Sequence, residues 1–101
     1  MTDKELLELA AKAADIALEI DDNGYPCYWG EYRGMPQKEM WNPLEYDGDA
    51  FRLAAKLRMF EKTMYCRGFE SAFNEENELD EYAPVRRYIV REAAEIGKQK
   101  G

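Results

Sequence analysis

Trp41-Asn42-Pro43-Leu44-Glu45-Tyr46-Asp47-Gly48-Asp49-Ala50-Phe51-Arg52-Leu53-Ala54-Ala55-Lys56-Leu57 decides the fold. Pro43 holds Asn42 extended and fixes its own φ. Asp47 or Asp49 can then cap a helix and complement the positive end of its dipole. Ala50, Leu53, Ala54 and Leu57 form an apolar stripe with Phe51 beside it, which predicts a helix over about 48–58. Arg52, Lys56 and Arg58 fall on more exposed sides. Trp41 and Leu44 are expected to clamp the start of this helix against the core. Carboxylates on either side of Gly48 also suggest a cation, but a calcium loop needs further spaced oxygen ligands and a closing Glu, which are missing. Capping is the better reading.

Outward from this stretch, the N-terminal side begins with Thr2-Asp3-Lys4-Glu5, a capping box. Leu6, Leu9, Ala10 and Ala13, flanked by Leu7 and Ala14, follow at helical spacing. A helix over 3–15 is expected, its alanine-rich face suited to close approach to a sheet. Ala17–Ile20 reads as a strand. Asn23-Gly24 is the strongest short hairpin signal and predicts a type I′ turn. Tyr25–Gly30 is the returning strand, with Tyr25, Cys27 and Trp29 on one face and Tyr28 on the other. Pro26 suggests an edge strand, or one irregular at its start. Segment 31–40 reads as a loop broken by Gly34 and Pro36, with room for a short strand pairing onward.

On the C-terminal side, Phe60–Cys66 and Phe69–Phe73 have mixed alternation about Arg67-Gly68 and predict a second hairpin. Glu75-Glu76-Asn77-Glu78-Leu79-Asp80-Glu81-Tyr82 is an acidic run, read first as a solvated loop and otherwise as a docking surface. Pro84 suits the first turn of a last helix. Its stripe is Val85, Tyr88, Ile89, Ala93 and Ile96, with Gly97 as C-terminal cap. Arg86, Arg87 and Arg91 lie off that stripe. From Arg86 to Lys100 five basic residues face only Glu92 and Glu95, whereas the whole chain carries −7. This basic end is expected to complement the C-terminus of its own helix and pair with the acidic loop before it, with a contact to nucleic acid as the alternative.

The expected architecture is therefore one α+β domain over 1–101. Three helices pack with an antiparallel sheet of about four short strands, in the order helix-hairpin-helix-hairpin-helix, as a two- or three-layer sandwich. At 46% hydrophobic and 13% aromatic residues the chain is too apolar for disorder. Its acidity disfavours nucleic acid and anionic lipid and favours a basic protein partner. Cys27 and Cys66 read as free thiols of a cytosolic protein without a membrane segment. The chain has no histidine, which removes the commonest general base and metal ligand. No catalytic, cofactor or metal residue is expected.

Three segments also carry a resemblance: Thr2 to Ala10; the Trp-Asn-Pro-Leu, Asp-Gly-Asp-Ala, Arg-Leu-Ala and Lys-Leu elements of the centre; and Arg86-Arg87-Tyr88-Ile89-Val90-Arg91-Glu92-Ala93-Ala94-Glu95-Ile96-Gly97. Together these resemble small proteins of tailed phages and prophages, the phage α-β-α sandwich domain group. The resemblance implies a non-enzymatic accessory protein in the cytoplasm of a bacterial host cell, binding and modulating a host protein, with inhibition of a defence system as one form. The candidate contact residues are Glu75, Glu76, Glu78, Asp80, Glu81, Tyr32 and Arg33. Two alternatives stand beside this. One is a small-ligand or nucleotide-binding domain with Tyr25, Tyr28, Trp29, Tyr32 and Trp41 lining a pocket. The other is a homo-oligomer assembled through a sheet edge or the alanine-rich helix.

Overall fold

The computed structural model describes residues 2–61, 63–73 and 80–100. Its elements run α1 (Asp3–Ala13), β1 (Glu19–Ile20), β2 (Pro26–Tyr32), β3 (Met35–Met40), α2 (Asp47–Lys56), a 3₁₀ turn (Met59–Glu61), α3 (Thr63–Phe73) and α4 (Ala83–Gln99). The α+β class is as expected. Among the described residues there are four helices and one three-stranded antiparallel sheet, ordered β1-β2-β3.

The helices pack mainly on one another. Thr2 caps α1, its hydroxyl accepting from the Glu5 N–H at 3.2 Å. Leu6, Leu7, Ala10, Ala11, Ala13 and Ala14 are buried. This small-residue face meets α4 and not the sheet. The reason lies at Gly97, where a Cβ would sit 2.0 Å from the Leu9 carbonyl oxygen. Gly97 is therefore a buried contact glycine inside α4, and Lys100 takes the C-cap position assigned to it. Lys100 also reaches back to α1, donating to the Lys12 and Ala13 carbonyls at 3.3 and 3.4 Å and pairing with Asp15 at 2.9 Å. The basic end of α4 thus complements the C-terminus of α1.

The central stretch does what its residues suggest, by different contacts. Trp41 is 4% exposed, Pro43 is fully buried, and Leu44 packs against the core. Neither aspartate is the N-cap of α2. Tyr46 holds that position without a side-chain bond. Asp49, buried in the first turn, instead accepts from the Asn42 N–H at 3.0 Å and from Arg52 at 2.6 Å. Asp47 accepts from Arg86 at 2.7 Å. Arg86 is itself buried and not off the stripe, because its Nε also donates to the Leu44 carbonyl at 2.9 Å and its guanidinium pairs with Asp80. One cation thereby ties α4 to the start of α2 and to the segment before α4.

The expected second hairpin over 60–73 is the 3₁₀ turn and α3. Phe69 and Ala72 sit at helical spacing, the first against the core and the second buried. Gly68, read as a turn, is a close-approach glycine: a Cβ there would meet the Tyr88 hydroxyl at 2.0 Å. Helix packing against α4 overrode the local period-two pattern. Met59, which carried no periodic signal, is fully buried.

Candidate functional site

The segment read as a loop, 31–40, is the outer half of a β-hairpin. β2 continues to Tyr32 and pairs with β3 from Tyr32↔Met35 to Cys27↔Met40. The two residues between the strands, Arg33 and Gly34, have φ of 52° and 78°. Both positive values mark the type I′ turn that matches strand twist. That turn was expected at Asn23-Gly24, where only Gly24 has positive φ. Asp21 explains the difference: its carboxylate accepts from the Asn23 and Tyr25 N–H groups at 2.9 and 2.8 Å. Its backbone N–H donates to the Tyr25 carbonyl, so the loop spans three residues. Gly34, with the aromatic and β-favouring residues Tyr28, Trp29 and Tyr32 before it, was the available signal; Arg33 gives none, since arginine does not favour the positive φ it adopts.

β2 is the central strand and not an edge. Pro26 is tolerated at its first position, where it pairs with Ile20. Alternation puts Cys27 and Trp29 on one face and Pro26 and Tyr28 on the other. The Cys27 thiol is buried and donates to the Glu19 carbonyl at 3.6 Å; the side chain of Cys66 lies outside the described residues. The Tyr28 hydroxyl donates to Glu39 across the ladder at 2.8 Å, which raises the Tyr28 pKa. The Trp29 indole N–H donates to Glu19 at 3.2 Å.

Beyond that footing the hairpin leaves the core. Trp29, Tyr32, Met35 and Met40 are 58, 59, 70 and 48% exposed. Arg33 lies over the Tyr32 ring, 5.3 Å from its centroid. By register Trp29 and Met40 share one face of the hairpin and Tyr32 and Met35 the other, so each face carries exposed apolar groups of the kind found at interfaces.

The other expected contact residues are dispersed. Asp80 is engaged by Arg86, which holds its carboxyl below the usual carboxylate range. Glu81 is exposed. Glu75, Glu76 and Glu78 lie outside the described residues. The aromatic pocket expected from Tyr25, Tyr28, Trp29, Tyr32 and Trp41 is not assembled. Trp41 is core, Tyr28 and Trp29 lie on opposite faces of β2, and Tyr25 precedes that strand whereas Tyr32 ends it. An apolar groove of about 390 Å³ exists elsewhere, lined by Ala50, Phe51, Phe60, Phe69, Val85 and Ile89. Asp47, Tyr82 and Arg86 border it. Phe51, Phe60 and Phe69 follow one another there at ring-centroid distances of 5.4 and 5.7 Å. Helical spacing on α2 had marked Phe51; the groove itself depends on α3, which the sequence reading missed.

Among the described residues no group of three or more His, Cys, Asp or Glu is placed to hold a metal ion, and no helix is long and apolar enough to cross a membrane. No family model, curated protein or solved structure matches the chain.

Proposed function

We propose that this chain is a non-enzymatic binding protein that engages a protein partner through the β2–β3 hairpin. The observation that carries this reading is the exposure of Trp29, Tyr32, Met35 and Met40 on an element that leaves the helical core. Aromatic and methionine side chains are the groups enriched in protein interfaces. Tyr32 and Arg33, expected from sequence as contact residues, both lie at the hairpin tip. Glu31, Asp21 and Asp22 flank the same sheet, and the whole chain carries −7, so a partner with a basic surface is favoured. The resemblance to phage and prophage proteins adds that the partner is a bacterial host protein met in the host cytoplasm, a defence component among the candidates, and that binding modulates it. Capture from bacterial lysate with the wild-type chain and with the Trp29→Ala/Tyr32→Ala variant tests the proposal. A specific partner held by the first and lost by the second is expected. Equal capture by both removes the hairpin from the interaction.

A second reading, an apolar small ligand in the phenylalanine groove, is favoured by its volume and lining, which are those of ordinary ligand pockets. A thermal-shift screen of apolar compounds that raises the melting temperature of the wild type but not of Phe51→Ala supports it. No shift with any compound removes it.

A further inference from the structure

The outer edge of β3 has a defined pattern of open main-chain groups. The Trp41 N–H donates to the Pro26 carbonyl at 3.1 Å, and Tyr32↔Met35 closes the two-residue turn. Alternation along an antiparallel ladder then turns Met35, Gln37 and Glu39 toward β2 and turns Pro36, Lys38 and Met40 outward. Pro36 thus has its missing N–H on the open side, where the ladder does not need it. Among the described residues no hydrogen bond reaches the outward main-chain groups of Lys38 and Met40, and both residues are exposed.

Self-pairing suits this edge poorly. A two-fold antiparallel pairing centred on Lys38 sets lysine against lysine. One centred on Glu39, which would use both Lys38 and Met40, sets glutamate against glutamate. Like charges directly opposed are destabilising. Centring on Met40 sets Lys38 opposite Asn42, whose N–H is already bonded to Asp49. Centring on Gln37 sets Lys38 opposite Pro36, which has no N–H. Edge prolines and lysines are common guards against such association. Here they also define what is accepted, because a guard against one strand is a specificity element for another.

Resting on the binding role proposed above, we infer that the edge at Lys38–Met40 takes an extended segment of a different protein as a fourth, antiparallel strand. Antiparallel addition continues the pattern of the sheet. The segment reads, from its N-terminus, apolar–basic–acidic. The apolar residue lies opposite Met40 on the face that also carries Trp29. The basic residue lies opposite Glu39 on the face shared with Tyr28, and the acidic residue opposite Lys38. Main-chain bonds to Lys38 and Met40 supply affinity, and the two opposite-charge pairs set register and direction.

Selection of a displayed library of random linear peptides on the full chain tests this. Enrichment of the apolar–basic–acidic triplet is expected. Met40→Pro deletes an outward N–H that the hairpin does not use, and should weaken a selected peptide about tenfold, the equivalent of one main-chain hydrogen bond. Lys38→Glu, a side-chain change alone, should turn the third enriched residue from acidic to basic. Absence of the triplet, an unchanged third residue with Lys38→Glu, or full affinity for a Met40→Pro chain with wild-type circular dichroism overturns the inference. Peptides lost with Trp29→Ala but kept with Met40→Pro overturn strand addition while leaving the hairpin as the binding element. Peptides kept by both variants remove both.

Discussion

Trp41 and Trp29 stand in the same half of the chain, yet one is 4% and the other 58% exposed. Trp41 follows β3 directly and lies where the sheet meets the helices. Trp29 is in the middle of β2, farther out along the hairpin, with its indole N–H bonded to Glu19 of β1. Two regions divide the molecule in the same way. The helices bury a continuous core from α1 to α4, held at close range by Gly97 and Gly68. The hairpin keeps its ladder, buries Cys27 and packs Tyr28 against the core, but leaves Trp29, Tyr32, Met35 and Met40 to solvent. Residue type therefore says little here about burial; position relative to the helices decides it. Apolar area buried in the first region stabilises the fold, and apolar area left open in the second remains for binding.

Four substitutions can break or sharpen that contrast. Trp41→Ala should cost about 3–5 kcal/mol in urea denaturation, the range for a large aromatic deleted from a core; a loss below about 1 kcal/mol would mean that Trp41 is surface-like. Gly97→Ala should cost about 1–3 kcal/mol despite the better helix propensity of alanine, because the new methyl meets backbone and α1 must shift. A melting temperature at or above wild type would show that α1 and α4 are not in close contact.

The third concerns acid. Arg86 holds the pKa of Asp80 below its ordinary value, and Lys100 does the same to Asp15. A depressed folded-state pKa contributes stability that is present above the unfolded value, near 3.9 for Asp. That stability is lost as pH falls through the folded value. Asp80→Asn should therefore lower stability at neutral pH and flatten its decline below about pH 4. Denaturation curves at neutral and acid pH that shift in parallel for variant and wild type would remove the link. The smallest effect belongs to the hairpin: Trp29→Ala should change stability by less than about 0.5 kcal/mol. A larger loss would place Trp29 in the core and withdraw it from the binding surface.

Much of the helical region was legible. Capping chemistry marked the start of α1, and the apolar spacing marked the buried faces of α1, α2 and much of α4. Trp41 and Pro43 were readable as anchors because a bulky aromatic and a fixed φ leave few alternatives. Arg86 was not readable, since its burial depends on Asp47, Asp80 and the Leu44 carbonyl, all distant in sequence or outside the helix. α3 was misread because Phe69, Ser71 and Phe73 fit a period of two as well as helical spacing fits Phe69 and Ala72. The hairpin tip is half legible: Tyr32 and Arg33 stand out as contact candidates, but Gly34 and Pro36 read locally as breakers. In the hairpin Gly34 makes the turn and Pro36 faces the open edge.

By itself the sequence determined the α+β class, the helices it could cap and stripe locally, and an acidic chain without histidine. These follow from residue chemistry within a few positions of each residue. Only the tertiary structure decided that the alanine face of α1 meets a helix, that Arg86 is interior and that the β2–β3 hairpin stands open. Each depends on which surfaces meet, and two elements compete for the same apolar face only once both are folded.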